Sequence, residues 1–410
     1  MSPRAPRGKG LTAGLTFNVY LLGLVSLLTD LSSEMVFPLI PFFLVTELGA
    51  SALIFGIFEG ARESTSSLLK VFSGHWSDRL GRRRRFVVAG YGLSSLMKTA
   101  IPFVRAWPDL LAVGVAERVG KGLRDAPRDA VLAEVKPAGA RGKVFGFHRL
   151  ADTLGAVLGP LVAFVLLEAY GLPFREIFLL AVGPALVSAL LTLFLRERAR
   201  TPAPVPSLRM GFAALSPSLR RFILIATVYA LGNFSVLFLL LRVIGTGLTE
   251  GAGILFYLAF NLIYALTALP AGMLSDRLGR GPVILTGYLL FAAVAAGLIL
   301  FAEAWQLLVL FVVFGLSFAF VNAVERAFVA DMAPPDLRAT ALGTYHTVTG
   351  LAKFPASAVA GLLWIITPVA TFSYGLVLAL LASLLLAVYV AKSAGRGPRR
   401  DRQKGPPEEG

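Results

Sequence analysis

Carboxylate side chains interrupt the long apolar runs of this chain, and a charge inside such a run is costly enough that it usually serves a function. Asp30 and Glu34 lie four residues apart in the first run, so a helix would present both on one face. Burial favours the neutral form of a carboxyl group, whereas an approaching guanidinium, such as that of Arg118, favours the charged form. We therefore predict that the pair loads and releases a proton. The alternative is permanent ion pairing with Lys121 or Arg149.

Further polar side chains lie inside the apolar runs, and the first half of the chain is richer in charge than the second. The second half is more apolar and aromatic, which suggests an ion-coupling half facing a half that grips a substrate. Glu59 and Glu63 are second candidates for the proton site. We predict that the cavity for protons and substrate is lined by Asp30, Glu34, Glu59, Glu63, Arg118, Lys121, Arg149, Asp152, Asn233, Asn322, Glu325 and Arg326.

The sequence gives little indication of a metal site or of a nucleotide-binding site. The three histidines are scattered without metal-ligand spacing, although Asp30, Glu34 and Glu59 leave a carboxylate site for a divalent cation as an alternative. Gly120-Lys121-Gly122 lacks the Ser or Thr and the upstream glycine of a phosphate-binding loop. We predict no metal site, no cofactor and no enzymatic activity, since no pairing of a nucleophile with a base is visible.

The composition indicates the elements that must hold these residues. The chain has 410 residues, a mean hydropathy of +0.74, 15% charged residues and 30 phenylalanines, and a soluble protein of this kind would expose large apolar patches. Apolar runs of about 20 residues, the length that crosses a bilayer as a helix, recur throughout. The net charge of +15 comes mostly from residues between these runs, so we predict contact with lipid rather than nucleic acid.

Twelve transmembrane helices of an all-α membrane protein are predicted from the runs and from the turn residues between them. The predicted spans are 15–46, 51–72, 86–104, 109–133, 143–168, 174–195, 219–242, 249–272, 282–301, 305–330, 339–366 and 369–392.

The loops between these spans alternate in charge. One set, which includes Arg79–Arg85 and both tails, is rich in Lys and Arg, whereas the other holds little beyond Arg105 and Arg175. The positive-inside rule therefore predicts cytoplasmic termini in the inner or plasma membrane. The predicted organisation is a basic N-terminal cytoplasmic tail at 1–14, a six-helix half at 15–195, a cytoplasmic linker at 196–218, a second six-helix half at 219–392 and a disordered cytoplasmic tail at 393–410.

One charged pattern occurs twice. Residues Gly74–Arg82 read GHWSDRLGR, and residues Gly272–Arg280 read GMLSDRLGR. The end of the fourth predicted span repeats as well, because Ala133-Glu134 is matched by Ala330-Asp331. Two pseudo-symmetric halves with parallel repeats are typical of transporters, whose substrate site lies between the halves near the middle of the membrane.

The repeated pattern resembles a known signature. Gly74–Arg83 is similar to motif A of the major facilitator superfamily, and Gly272–Arg280 occupies the expected place of its second copy. Arg118–Gly122 is similar to motif B, with Lys121 where Gln is usual. By this resemblance, Arg118 modulates a nearby carboxylate.

A third signature points to the drug/proton antiporter branch of that family. Gly146, Gly155 and Gly159-Pro160 resemble motif C, whose closing glycine pair is replaced here by Ala163-Phe164. The resemblance implies that Gly155, Gly159 and Pro160 bend the fifth helix and seal one side of the cavity.

The resemblance also implies a cytoplasmic latch that engages in one of two transport states. In it, Asp78 caps or pairs across the interface between the halves, and Arg82 reaches Glu134. Arg83–Arg85, by their place in a basic loop, are expected to serve only as topogenic charges. The predicted latch residues are Gly74, Asp78, Arg82, Glu134, Asp276, Arg280 and Asp331.

The implied function is secondary active transport of a small molecule by alternating access, with proton-coupled export favoured. The alternatives are an uptake symporter or facilitator of a small metabolite and a divalent metal exporter. The family resembled works as a monomer, so a monomer is expected.

Overall fold

A computed structural model describes residues 16–134, 141–197, 212, 215–334 and 337–394. Within these ranges the regular secondary structure is helical, and twelve long helical segments follow one another along the chain. The predicted N-terminal tail at 1–14 lies outside the described residues, as does most of the predicted linker at 196–218. Of the predicted C-terminal tail at 393–410, only residues 393 and 394 are described, and they belong to the last helix.

We number the twelve segments α1 to α12 in chain order. Their bounds are Phe17–Glu47, Ala52–Leu80, Arg83–Phe103, Trp107–Leu132, Arg141–Glu168, Phe174–Thr192, Pro217–Ile244, Glu250–Leu278, Arg280–Leu300, Ala304–Met332, Arg338–Ile366 and Pro368–Ala394.

Ten of these segments are long and apolar enough to cross a membrane, counted over the described residues. The other two, α2 and α4, are equally long but carry charges inside their length, among them Glu59 and Glu63 in α2 and Glu117 and Arg118 in α4. Both helices contribute these side chains to a central cavity, where charges contact one another instead of lipid.

The helices α2 and α8 extend further than the sequence predicts. Gly74–Leu80 was expected in a loop after a span ending at residue 72, but α2 continues to Leu80. The stretch contains no proline, and the helix ends at Gly81, whose φ of +62° is a left-handed conformation that glycine adopts easily. In the second copy α8 likewise reaches Leu278 and ends at Gly279, with a φ of +91°.

Two helices lose their regular form beside the cavity. In α1 the hydrogen bonding becomes irregular after Val36, where Pro38 and Pro41 supply no backbone N–H. In α7 the helix stops at Gly232 and resumes at Val236, capped by the hydroxyl of Ser235, which accepts a bond from Leu237 N at 3.3 Å. Residues at both breaks line this cavity, among them Phe37 and Ile40 in α1 and Asn233 and Ser235 in α7.

The first six and the last six helices make close contact where α2 packs against α11. A Cβ atom at Gly56 would lie 2.2 Å from the carbonyl oxygen of Ser357, and one at Gly361 would lie 2.4 Å from that of Ala52. Glycine is thus required for this close approach, as is usual where membrane helices pack through small residues.

One end of the bundle is closed. We call the end with the turns at Gly81 and Gly279 the basic end, and the opposite one the far end. At the far end, the ring of Phe42 fills the space beside Gly253, and the rings of Phe55 and Phe238 meet edge to face at 5.1 Å. These contacts join α1 and α2 to α7 and α8, so the far end is sealed by apolar packing.

Candidate functional site

A cavity of about 420 Å³ lies between the first and last six helices. A second cavity of about 340 Å³ lies next to it, toward the basic end. Of the twelve predicted cavity residues, three line only the second cavity, namely Asn322, Glu325 and Arg326. The others line the first cavity, and they are Asp30, Glu34, Glu59, Glu63, Arg118, Lys121, Arg149, Asp152 and Asn233.

Five charged side chains of α2 and α4 form a continuous network on the wall of the first cavity. Arg62 bonds Glu59 at 3.2 Å and approaches Glu117 at 3.9 Å. Arg118 contacts Glu117 at 3.6 Å and Glu63 at 3.5 Å. Three carboxylates therefore share two guanidinium groups, and removing one member would leave a buried charge without its partner.

Two bonds extend this network to the last six helices. The hydroxyl of Ser235, at the break of α7, donates to Glu59 at 2.8 Å, and Lys353 in α11 bonds Glu63 at 3.0 Å. Glu59 is almost fully buried, with 2% of its surface exposed. Glu59 and Glu63 thus act as fixed links between the two sets of helices in this conformation.

Glu34 makes a different contact across the same interface. Tyr257 in α8 donates its hydroxyl proton to Glu34 at 2.6 Å, and the side-chain amide of Asn261 approaches the same oxygen at 3.5 Å. Asp30 lies one helical turn away and faces the same cavity. Within the described part of the chain, neither Asp30 nor Glu34 forms an ion pair, so the alternative of permanent pairing with Lys121 or Arg149 is not found.

Asp152 in α5 is held by neighbours within the first six helices. Its carboxylate accepts a short hydrogen bond from Ser26 and lies 3.5 Å from Nδ1 of His148. Arg149 points elsewhere and places its guanidinium 5.3 Å from the ring centre of Tyr264 in α8.

The glycines predicted to bend α5 lie directly behind the two unpaired carboxylates. A Cβ atom at Gly155 would lie 2.8 Å from Cβ of Asp30, and one at Gly159 would lie 2.6 Å from Cβ of Glu34. The helix continues through Pro160 to Glu168. These glycines allow α5 to pack against the part of α1 that carries the carboxylates, and the gating bend stays a prediction.

Glu325 occupies a separate pocket of hydroxyl donors in the last six helices. Tyr288 donates to one carboxylate oxygen at 2.5 Å, and Tyr345 donates to the other through a short hydrogen bond. The ring of Tyr288 stacks on that of Tyr229 with centres 3.8 Å apart. Glu325 is 4% exposed and forms no ion pair among the described residues. Arg326, beside it in sequence, instead donates to the carbonyl oxygen of Asn322 at 2.8 Å.

Several cavity residues were missed by the sequence analysis. Lys98 in α3 is 5% exposed and donates to Ser33 Oγ at 2.7 Å and to the carbonyl oxygen of Thr29 at 3.3 Å. The rule that flags charges within apolar runs applies equally to Lys98, so the signal was present. Tyr257 and Asn261 are uncharged, and their positions on α8 carry no comparable signal.

The basic turn after α2 requires a correction. Arg83 donates to Glu134 at 2.6 Å and to Asp78 at 2.5 and 2.9 Å. The prediction that Arg83 is only a topogenic charge is therefore wrong. The predicted contact of Arg82 with Glu134 is not made in this conformation, and it stays a prediction for the other transport state. Gly81 ends α2 and Arg82 remains outside both helices and exposed, so the bonding position falls on the first residue of α3.

The second copy lacks this extra turn residue. Arg280 begins α9 directly after Gly279, and it contacts Asp276 at 2.6 Å and Asp331 at 3.1 Å. In both copies the bonds described join residues of the same six helices. The predicted pairing of Asp78 across the interface is therefore not part of this conformation, and Gly74 lies on α2 beside Ala126 of α4.

No group of three His, Asp or Glu side chains within the described ranges is arranged to hold a metal ion. The divalent metal alternative thus gains no support from the arrangement of Asp30, Glu34 and Glu59.

One relative of known sequence matches nearly the whole chain, and another matches part of it. An uncharacterized MFS-type transporter, MJ1317, of Methanocaldococcus jannaschii is 37% identical over 378 residues, which is 91% of this chain and 94% of that protein. The multidrug resistance protein MdtH of Cronobacter sakazakii is 32% identical over 153 residues, or 36% of this chain and 37% of MdtH.

Solved structures share the fold at low sequence identity. The nucleoside transporter NupG is 13% identical with a TM-score of 0.73, and the alignment covers 92% of this chain and 99% of NupG. The D-xylose-proton symporter is 16% identical with a TM-score of 0.71, covering 90% and 96% of the two chains.

The family predicted from the motifs is confirmed by these comparisons. Residues 22–259 and 222–409 match the Major Facilitator Superfamily. The chain is accordingly a multi-pass membrane protein and a transporter rather than an enzyme. By sequence match, relatives and fold together, it belongs to the Major Facilitator Superfamily.

Proposed function

We propose that this protein exports a small molecule across the cell membrane in exchange for entering protons. The basic end faces the cytoplasm together with both termini, and residues 15–195 and 219–392 are the two units that move against each other. A single chain contains the complete pathway and works as a monomer.

The observation that carries this proposal is the contact of Glu34 with Tyr257 and Asn261. An ionised Glu34 accepts both donors and thereby binds α1 to α8, whereas a protonated Glu34 makes a weaker contact with them. Proton binding therefore changes the free energy of the interface between the two units. A ligand shifts a conformational equilibrium only through such a difference in affinity between the states.

The distribution of contacts supports alternating access. The far end is sealed by Phe42, Phe55 and Phe238, while the arginine networks at the basic end bind only within their own six helices. Opening of the far end requires α2 and α11 to separate at Gly56 and Gly361. The latch at the basic end would engage in that alternative state.

Export is favoured over uptake by two features. Gly155 and Gly159-Pro160 of the motif typical of antiporters lie behind Asp30 and Glu34, and part of the chain is similar to the multidrug resistance protein MdtH. An uptake symporter would use the same fold and the same carboxylates, so the direction of flux must be measured.

The test is growth of an efflux-deficient bacterium that expresses this chain, across a panel of organic compounds and divalent metals. The Asp78→Asn variant serves as an inactive control, since it weakens the charge-assisted bond from Arg83. Resistance to a defined subset of organic compounds, lost in the variant, supports export. Increased sensitivity would indicate uptake, and resistance confined to metals would indicate the metal exporter.

Proton coupling is tested separately with the Asp30→Asn, Glu34→Gln double variant. Both amides preserve size and keep one acceptor oxygen, so the protein should fold while losing the groups that titrate. We expect proton-driven flux to disappear. Unchanged proton-driven flux would exclude these carboxylates as the coupling site.

A further inference from the structure

The two cavities meet at a small group of shared side chains, which we call the junction. No carboxylate belongs to this group, although carboxylates line both cavities elsewhere. The junction consists of Arg149, Asn233, Tyr264, Phe318 and Lys353.

The two cations of the junction come from opposite units and retain capacity for a ligand. Arg149 in α5 is exposed and contacts Tyr264 through its guanidinium face, and no described carboxylate lies within ion-pairing distance. Its N–H donors are therefore not committed to an anion of the protein. Lys353 in α11 bonds Glu63 at 3.0 Å, yet 45% of its side chain is exposed, so further donors of its ammonium group face the cavity.

The aromatic side chains of the junction belong to a cluster of packed rings. The rings of Tyr264 and Phe318 meet at 5.1 Å and an angle of 75°. Phe260 stacks beside Tyr264 at 6.5 Å, and Phe314 lies 6.2 Å from Phe318. Such a cluster offers flat apolar faces to a ring-shaped ligand placed between the units.

The cationic side chains that line the second cavity would attract an anion toward the junction. Arg326 is exposed there without an ion pair to any described residue, and Lys70 also lines the cavity. Its two carboxylates are already engaged, since Asp125 lies 3.8 Å from Lys70 and Glu325 accepts two tyrosine hydroxyl groups. A cleft lined by one sign of charge concentrates ligands of the opposite sign.

We propose that the junction binds an organic anion that carries an aromatic ring. A carboxylate, sulfonate or phosphate group lies between Arg149 and Lys353, and the ring packs against Tyr264 and Phe318. This inference rests on the proposed transport function and names its substrate class. Because the two cations belong to opposite units, binding of the anion would also draw the units together.

The experiment compares three ligands that share one ring system and differ in charge. Equilibrium binding to the purified full-length protein is measured for naphthalene-2-sulfonate, 2-naphthylmethanol and 2-naphthylmethylammonium at fixed pH and ionic strength. We expect the sulfonate to bind about ten-fold more tightly than the other two, which corresponds to about 1.4 kcal/mol. Equal or tighter binding of the alcohol or the ammonium, or no binding of the sulfonate, would overturn the proposal.

Variants then locate the site. Arg149→Gln and Lys353→Gln should each weaken sulfonate binding by about ten-fold, because each removes a charge-assisted hydrogen bond. Arg85→Gln changes an exposed arginine in the first turn of α3, at the basic end, and should bind the sulfonate like the wild type. Sulfonate affinity that is unaffected in both junction variants would refute the site.

This measurement separates the inference from the proposed function. Binding in detergent needs neither a membrane nor a proton gradient, and the charge series in the wild-type protein remains decisive if a variant fails to fold. Selective sulfonate binding without proton-driven flux would refute the coupling mechanism and leave the anion site intact. Proton-driven export together with preferential binding of the ammonium would refute the anion site and leave the coupling mechanism intact.

Discussion

At the basic turn after α2, a single additional residue decides which arginine holds the turn together. Gly81 ends the helix and Arg82 lies outside both helices, so Arg83 reaches Asp78 and Glu134. In the second copy, Arg280 follows Gly279 without such a residue. An alignment of the two motifs by sequence position does not reveal this difference, because the difference depends on the residue at which each following helix begins.

The residue-scale prediction compares two neighbouring arginines. Arg83→Gln should lower the free energy of unfolding by about 1–2 kcal/mol, because it removes charge-assisted bonds to two carboxylates that are partly exposed. Arg82→Gln, which changes the same residue type one position earlier, should have an effect within about 0.5 kcal/mol. Thermal unfolding of both purified variants checks this, and a larger loss in Arg82→Gln would contradict the assignment.

Many charged residues of the candidate site could be predicted from the sequence, whereas its uncharged residues Tyr257 and Asn261 could not. Asp30, Glu34 and Arg118 were found because charges stand out in apolar runs, and they do line one cavity. Their partners were not found, since Tyr257 and Asn261 become relevant only when α8 packs against α1. Pairing between sequence-distant helices is a property of tertiary packing and leaves no periodic signal in either helix.

At the scale of helices, the sequence predicted which helices exist and their order along the chain better than it predicted the residues at which they end. Runs of apolar residues indicate that a helix spans the membrane, but its end depends on where the backbone leaves helical geometry. In α2 the backbone leaves helical geometry at Gly81, beyond the apolar run, and the helix therefore includes charged residues such as Asp78. The break in α7 at Asn233 also escaped prediction, because no proline marks it.

The contact of α2 with α11 provides the element-scale prediction. Gly361→Val would place side-chain atoms against the carbonyl oxygen of Ala52, and overpacking of this kind costs about 1–3 kcal/mol. In the proposed transport cycle this contact is made only while the far end is closed, so we expect the variant to favour the state that is open there. Gly183→Val is the matched control, since a Cβ at Gly183 meets no other atom within 4 Å.

The readout is a cysteine at Ser357, a buried position beside Gly56. In the Gly361→Val background, a membrane-impermeant maleimide added from the far end should label Ser357→Cys about ten-fold faster than in the wild-type background, as a shift of about 1.4 kcal/mol implies. Equal labelling rates in the Gly361→Val and Gly183→Val backgrounds would argue against this role of the glycine contact.

At the scale of the whole molecule, the structure is a bundle that is sealed at the far end and holds two adjoining cavities toward the basic end. The chain contains no cysteine, so single-cysteine reporters need no other substitution. Leu240 is fully buried at the far end, whereas Asn322 lines the second cavity. These two positions report on the accessibility of the opposite ends.

We predict that Asn322→Cys reacts with an impermeant maleimide in inside-out vesicles, because the second cavity faces the cytoplasm in the proposed orientation. Leu240→Cys should stay unreactive in intact cells, since apolar packing covers it from the far end. Rapid labelling of Leu240→Cys, with protection of Asn322→Cys, would show that the resting protein is open in the opposite direction.

The central claim is that proton binding at Asp30 and Glu34 drives export. Its most direct test is transport of a compound identified in the resistance panel into inside-out vesicles whose interior has been acidified. We predict that uptake of the compound releases protons from the vesicles, stops when the pH gradient is dissipated, and is absent in the Asp30→Asn, Glu34→Gln double variant. Uptake that persists without a gradient, at the same rate in the wild type and the double variant, would contradict it.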